Sequence, residues 1–303
     1  MKPHTSTSAA NSPYFIEGKE FFAPDLVPGL YLTATPIGNL ADISLRALST
    51  LAAADMILCE DTRITRKLLD RYGIESVLHA YHDHNGAQMR PQIIKWLNDD
   101  KAIALVSDAG MPVVSDPGFK LVGAARENAS NVFVVPGASA PLAGLALSGL
   151  PSNRFLFAGF LPNKSAARRA VLAELGKVDT TLIFFESMKR LEKSLTDIDA
   201  VLGEREVTIA RELTKLHEEV LTGSAQELAD KLTVRKGEVT LLIGPPNEPF
   251  AIDEKSIDDA LKDALETMAP GKAASHVAKS LGVSRQEIYP RALALKPSTN
   301  DTR

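Results

Sequence analysis

Enzymatic chemistry needs groups that take up protons, meet charge or let a ligand reach the backbone, and this sequence gathers them into a few short strings. Cys59–Glu60–Asp61–Thr62–Arg63 sets three charged side chains together, able to orient and polarise a substrate. It reads equally well as a helix start capped by Asp61 or Thr62. His79–Ala80–Tyr81–His82–Asp83–His84–Asn85 offers three histidines and an aspartate, ligand types that zinc takes. Strand periodicity puts His82 and His84 on one face and His79 on the other, and no matching distant ligand is evident. A polar substrate contact or a plain surface loop is therefore expected there, and no metal site is assigned.

Three further strings are rich in Gly, Pro and small residues. Ser107–Asp108–Ala109–Gly110–Met111–Pro112, followed by Ser115–Asp116–Pro117–Gly118, carries more Gly, Pro and Asp in twelve residues than a plain turn needs. Its carboxylates can accept hydrogen bonds from hydroxyls or face a cation. Ala34–Thr35–Pro36–Ile37–Gly38–Asn39–Leu40 lets a ligand approach backbone amides, or is an ordinary tight turn. Val135–Pro136–Gly137–Ala138–Ser139–Ala140 opens a helix, with Ser139 placed as an N-cap. Pro141 stands where a G-x-S-x-G elbow needs Gly, and neither a G-x-G-x-x-G fingerprint nor a P-loop occurs. Two later strings, Phe184–Arg190 and Ala210–Lys215, place charges directly after apolar runs. They suit a cleft wall, a capped helix start or a surface turn alike.

These strings must be held by strands, and the pattern supplies them. Leu30–Thr35, Met56–Cys59, Val77–Ala80, Ile103–Val106 and Val132–Val135 read as strands. Ser44–Ala53, Thr65–Tyr72, Ala87–Leu97, Phe119–Asn128 and Ser139–Leu147 have helical spacing, so a mostly parallel sheet covered on both faces is predicted. Gly149–Leu150–Pro151 breaks the pattern. The second half repeats the alternation, with strands at Arg154–Ala158, Thr181–Phe185, Val207–Ala210, Glu218–Thr222 and Val239–Ile243. Helices fit at Ser165–Gly176, Lys189–Leu202 and Ala225–Leu232. A hairpin-like pair between Ala210 and Thr222 predicts a mixed sheet. Gly244–Pro249 reads as a linker. Helices at Ser256–Thr267, Lys272–Leu281 and Arg285–Leu295 follow, the last opened by a Ser284/Glu287 capping box and joined through a Gly-containing turn like a helix-turn-helix. The predicted division is a disordered leader over 1–26, α/β domains over 27–149 and 150–249, and a helical tail over 250–303.

Composition narrows the class. With 45% hydrophobic and 24% charged residues and a net charge of −4, the chain reads as a soluble globular protein, not one wrapped in basic surface. The lone Cys59 excludes an intrachain disulfide and a Cys-x-x-Cys zinc framework. No run of some 18 apolar residues occurs, so no membrane span is expected. The polar Met1–Ser12 stretch lacks the apolar core of a secretory signal. A cytosolic protein is the expectation.

Taken in order, Thr35–Leu40, Glu60–Arg63, His82–Asn85, Val106–Gly110, Ser115–Gly118, Phe185–Ser187 and Ala210–Lys215 resemble the motifs of the tetrapyrrole methylase superfamily of S-adenosylmethionine enzymes, and most closely its ribosomal RNA branch. The resemblance runs from about Leu30 to the end. This chain departs from the usual motifs at Met111 in D-A-G-T-P, at Ala138 in P-G-P, and at Lys189 in E-S-x-H-R. The resemblance implies two α/β domains of class III methyltransferase type around a cofactor cleft and a homodimer. It also implies 2′-O-methylation of a cytidine in the decoding region of 16S rRNA on the small ribosomal subunit. Cofactor contacts implied are Pro36, Asp108, Gly110, Val113, Ser139 and Ala140 from the first domain and Met188, Ala210 and Ile243 from the second. Catalytic candidates are Glu60, Asp61, Arg63, His82, Asn85 and Lys215, with Asp61 favoured as the base.

An RNA substrate needs cations for phosphates. Arg63, Arg66, Lys67 and Arg71 form one cluster, Lys164, Arg168, Arg169 and Lys177 a second, and Lys272, Lys279, Arg285, Arg291 and Lys296 a third. Each cluster alone also reads as a solvated helix face. A tetrapyrrole methylase and a non-catalytic RNA-binding factor are the alternatives. Basic residues dominate from Pro270 onward and acidic ones between Ile252 and Ala269, so the mild overall acidity is an average over segregated charge.

Overall fold

The computed structural model describes residues 12–232, 236–247, 254–281 and 284–295. The first eleven residues of the expected leader, the last two of the expected linker, Gly282, Val283 and Lys296 lie outside them. Within them the chain opens on a hairpin, β1 (Ser12–Ile16) and β2 (Lys19–Ala23), paired antiparallel. This corrects the leader reading for those residues. Glu17 (φ 50°) and Gly18 (φ 78°) make the turn, and Tyr14 and Ala23 are buried against the first domain.

Apolar runs of three to five residues then alternate with amphipathic helices. They are β3 (Gly29–Thr33), α1 (Leu45–Ala53), β4 (Met56–Cys59), α2 (Thr62–Arg71), β5 (Leu78–Ala80), α3 (Gly86–Asn98), β6 (Ala102–Leu105), α4 (Phe119–Glu127), β7 (Val132–Val135) and α5 (Ala140–Ser148). The five strands form one parallel sheet in the order β5-β4-β6-β3-β7. Central β6 is buried along its length, as a strand covered on both faces must be. α5 ends at Gly149, whose φ of 72° is the left-handed conformation that glycine adopts without strain.

The second domain runs β8 (Phe155–Phe160), α6 (Ser165–Leu175), β9 (Thr181–Ser187), α7 (Met188–Leu202), β10 (Glu206–Arg211), β11 (Glu219–Ser224), α8 (Ala225–Lys231) and β12 (Glu238–Ile243). Its sheet order is β11-β10-β12-β9-β8, with only β8 and β9 parallel, so the sheet is mixed. Both α/β domains lie in one compact unit ending at Pro245. A buried seam joins them: Ile37 and Leu145 from the first domain pack in one cluster with Leu150, Ile183, Ala210, Leu213 and Leu242. Each leucine or isoleucine there contributes about 1.5–3 kcal/mol when fully buried, so the seam fixes the shape of whatever lies between the domains.

The remaining residues form a separate unit of α9 (Glu254–Thr267), α10 (Pro270–Leu281) and α11 (Arg285–Ala294). Ala264, Ala273, Ala274, Ala278 and Ala292 bring the helices close around Leu261, Val277 and Ile288. Ser284 caps α11, but its hydroxyl accepts from the Gln286 N–H, two residues on, so the expected bond to Glu287 is not the one made.

Candidate active site in the interdomain cleft

In a parallel sheet all carboxyl ends of the strands face one way, and here every first-domain motif follows one of them. Thr35–Gly38 lies beyond β3, Glu60–Asp61 beyond β4, His82–Asn85 beyond β5, Ser107–Gly110 beyond β6 and Pro136–Ser139 beyond β7. The β3 and β6 loops are tied by paired backbone bonds, Thr35 N–H to Gly110 O at 2.9 Å and Gly110 N–H to Thr35 O at 3.1 Å. The Thr35 hydroxyl also donates to Ser107 O at 3.1 Å. Gly110 has φ +81°, and a Cβ there would sit 3.2 Å from Ile37 Cγ2, so both backbone and space call for glycine.

Between these loops and the second sheet is a cavity of about 290 Å³, close to the lower end of ordinary ligand pockets. Its first-domain wall includes Ile37, Asp108, Gly110, Met111, Asp116 and the α5 start at Ser139–Pro141. Phe160, Phe185, Glu186, Ala210, Leu213 and Glu238–Thr240 line the opposite side. Of the expected cofactor contacts, Asp108, Gly110, Ser139, Ala140 and Ala210 therefore meet at one cavity. Pro36 and Val113 do not line it, although their neighbours Ile37 and Val114 do. Met188 and Ile243 are buried in the second-domain core instead, Ile243 on the β12 face that also carries Val239 and Leu241 and Met188 at the start of α7 with Leu191 and Leu195. Ser139 stands at the N-cap position but its hydroxyl makes no capping bond.

The catalytic candidates divide similarly. None of the six lines the cavity. Asp61 caps α2, accepting from the Arg63 N–H at 2.8 Å, and its carboxylate pairs with the Arg63 guanidinium at 2.6 Å. Those hydrogen bonds, side chain first, hold its pKa down at about 2. Glu60 is pushed upward by burial and then by the Asp108 and Asp83 charges, with His82 opposing. Asn85 is a turn lock, accepting from His82 N–H at 2.9 Å and donating to Ala80 O at 2.8 Å. Lys215 is held by Glu212 at 3.0 Å and Glu238 at 2.7 Å. Burial works against its charge, but these two bonds outweigh it and keep the ammonium above its usual range. Among the described residues no group of three or more His, Cys, Asp or Glu side chains is disposed to hold a metal.

Asp116 stands out among the residues not chosen from sequence. Burial, then the nearby Glu60 charge, raises its pKa to about 6 while Ser107 opposes through a hydrogen bond. The Ser115–Gly118 string contained the signal, but not which carboxylate the fold would desolvate. Glu238 and Thr240 had no motif to announce them. The second basic cluster also changes: Arg168 is 3% exposed and pairs with Asp197 at 2.6 Å, and Arg169 meets the same carboxylate at 2.7 Å. Both are occupied in joining α6 to α7.

Two α/β domains closing on a cleft at the carboxyl ends of a parallel sheet define the class, and residues 29–229 match the model of the Tetrapyrrole (Corrin/Porphyrin) Methylases. Residues 251–296 match the RsmI C-terminal HTH domain. The chain is 50% identical over 286 residues, 93% of its length and 97% of the relative's, to Ribosomal RNA small subunit methyltransferase I of Mesorhizobium japonicum. Among solved structures it is similar in fold to diphthine synthase (TM-score 0.59, 16% identity, 71% of this chain and 89% of that one). It is also similar to a Thermus thermophilus uroporphyrin-III C-methyltransferase complexed with S-adenyl homocysteine (TM-score 0.50, 18% identity, 71% and 96%). The chain belongs to the ribosomal RNA small subunit methyltransferase I family of the tetrapyrrole methylases.

Proposed function

We infer that this chain transfers a methyl group from S-adenosylmethionine to the 2′-hydroxyl of a cytidine in the decoding region of 16S rRNA. It acts in the cytoplasm on the small ribosomal subunit, as a homodimer. The observation that carries this reading is the interdomain cavity at the carboxyl ends of the strands, in a chain half identical over nearly its full length to an rRNA methyltransferase.

The cavity's chemistry fits such a donor. Ile37, Phe185 and Leu213 offer apolar walls to a base, and Gly110 leaves backbone open where a Cβ would intrude. Asp108 can take ribose hydroxyls, and the α5 N-terminus suits a carboxylate. Asp108, Gly110, Ser139, Ala140 and Ala210 are the proposed contacts. Pro36 and Val113 act by holding Ile37 and Val114, and Met188 and Ile243 by supporting the wall from the core.

S-adenosylmethionine supplies a methyl carbon made electrophilic by its sulfonium. The protein aligns the ribose oxygen with that carbon and receives a proton. We assign the proton to Asp116, which lines the cavity with a pKa of about 6. A carboxylate held near 2, as Asp61 is, is a much weaker acceptor. Asp61 instead fixes the start of α2 and the attitude of Arg63. Lys215, Glu212 and Glu238 brace the second-domain wall. Glu60, His82 and Asn85 shape the adjoining rim, where Glu60 helps to raise Asp116.

The test is labelled methyl transfer to purified small subunits, with the product mapped as a nuclease-resistant ribose linkage in 16S rRNA. Methylation at one cytidine is expected. Transfer to a porphyrinoid and none to rRNA would overturn the substrate, and absence of S-adenosylmethionine binding in calorimetry would overturn the enzyme.

A further inference from the structure

We propose that the β1–β2 hairpin and the adjoining end of α2 form a stacking platform for single-stranded RNA, outside the catalytic cleft; this rests on the RNA reading above. On the inner hairpin face Tyr14 and Ala23 are buried and Phe21, 41% exposed, stacks on Tyr14, whereas Phe22 (54% exposed) and Phe15 (39% exposed) project from the outer face. In the pairing register Phe22 is opposite Pro13 and Phe15 opposite Glu20, which makes the two rings diagonal neighbours on one face. That places them roughly 7–8 Å apart, near enough to hold two successive splayed bases.

The hairpin is anchored to a basic helix end. Phe15 N–H donates to Tyr72 O at 2.8 Å, and its ring lies 2.6 Å from where a Gly73 Cβ would be. On α2, immediately before this contact, Arg66, Lys67 and Arg71 are exposed against the single opposing Asp70. Glu17, Lys19 and Glu20 at the hairpin tip add a mixed rim. Exposed rings beside a helix end where three cations face one carboxylate match a strand that presents bases and phosphates together. A protein partner would call for a broader apolar face than these few phenylalanine rings bounded by charge.

Fluorescence anisotropy of the full chain with a fluorescein-labelled dodecamer of uridylate tests this. Phe22→Ala and Phe22→Leu should each weaken binding about ten-fold, whereas Phe22→Tyr should hold near the wild-type affinity. S-adenosylmethionine affinity should be unchanged in all three, which separates the effect from misfolding. Equal binding by wild type, F22A and F22L would overturn the platform and leave the RNA reading standing. So would loss of small-subunit binding with oligonucleotide binding intact, which would indicate a protein contact. If wild type binds neither the oligonucleotide nor small subunits, the RNA reading itself falls.

Discussion

Asp61 and Asp116 show how one residue type takes opposite roles. Asp61 meets its partner two residues away in sequence, so its carboxylate is ionised far below neutrality. Asp116 is desolvated and faces Glu60, and its pKa of about 6 lies above the ordinary 3.8. The folded chain therefore holds that proton more tightly than the unfolded one. Stability is highest below pH 3.8 for this group and falls as pH climbs through about 6. Asp116→Asn should thus stabilise the protein at pH 7.5, by about 1–2 kcal/mol after screening of a half-buried group. The same change should remove most turnover while leaving donor binding in place. Wild-type turnover should rise with pH through about 6 and then level, because the base must be ionised to work. A flat profile between about pH 5 and 8, together with an active D116N variant, would reject the assignment.

Among the elements, the loop after β3 does most to set the cleft. Asn39 N–H donates to the Thr214 hydroxyl at 2.9 Å across the domain boundary. A Cβ on Gly38 would lie 2.6 Å from Lys215 Cγ and 2.9 Å from Leu213 O. The second is backbone and cannot swing aside. Gly38→Ala should therefore cost about 1–3 kcal/mol and lower donor affinity by displacing the Leu213 wall. Thermal melting and calorimetry read both, and a variant with wild-type values in each would show that the loop yields freely. The strands and helices themselves were legible from periodicity because each is decided by near neighbours in sequence. The β1–β2 hairpin lies in a stretch that reads as a leader from its polar start, and Tyr14 and Ala23 packing on the first domain anchor it.

At the scale of the whole molecule, charge is arranged in patches that differ in availability. Arg66, Lys67 and Arg71 are exposed on α2, whereas Arg168 and Arg169 are occupied by Asp197. Binding to small subunits should weaken steeply with salt, and Lys67→Ala and Arg71→Ala should each reduce the log–log slope by ~0.7–0.9 if they meet phosphates. Arg169→Ala should leave the slope unchanged. Filter binding between 50 and 300 mM salt, taken here as a rough working range, would show it. Equal slopes for all variants would remove α2 from the RNA surface.

The sequence by itself determined the alternation of strand and helix and the order of the motifs. It also determined that Gly- and Pro-rich loops follow three of the first-domain strands and charged or His-bearing ones the other two, because these depend on residues a few positions apart. From them the family resemblance and the cleft's first wall could be read. Tertiary structure alone decided which charges are free to act. Asp116 is raised by burial and then by Glu60 from another loop, Arg168 is buried against a helix 29 residues on, and Lys215 is claimed by Glu238 from another strand. Burial and long-range pairing set a group's protonation and reach, and neither is encoded in its immediate neighbours.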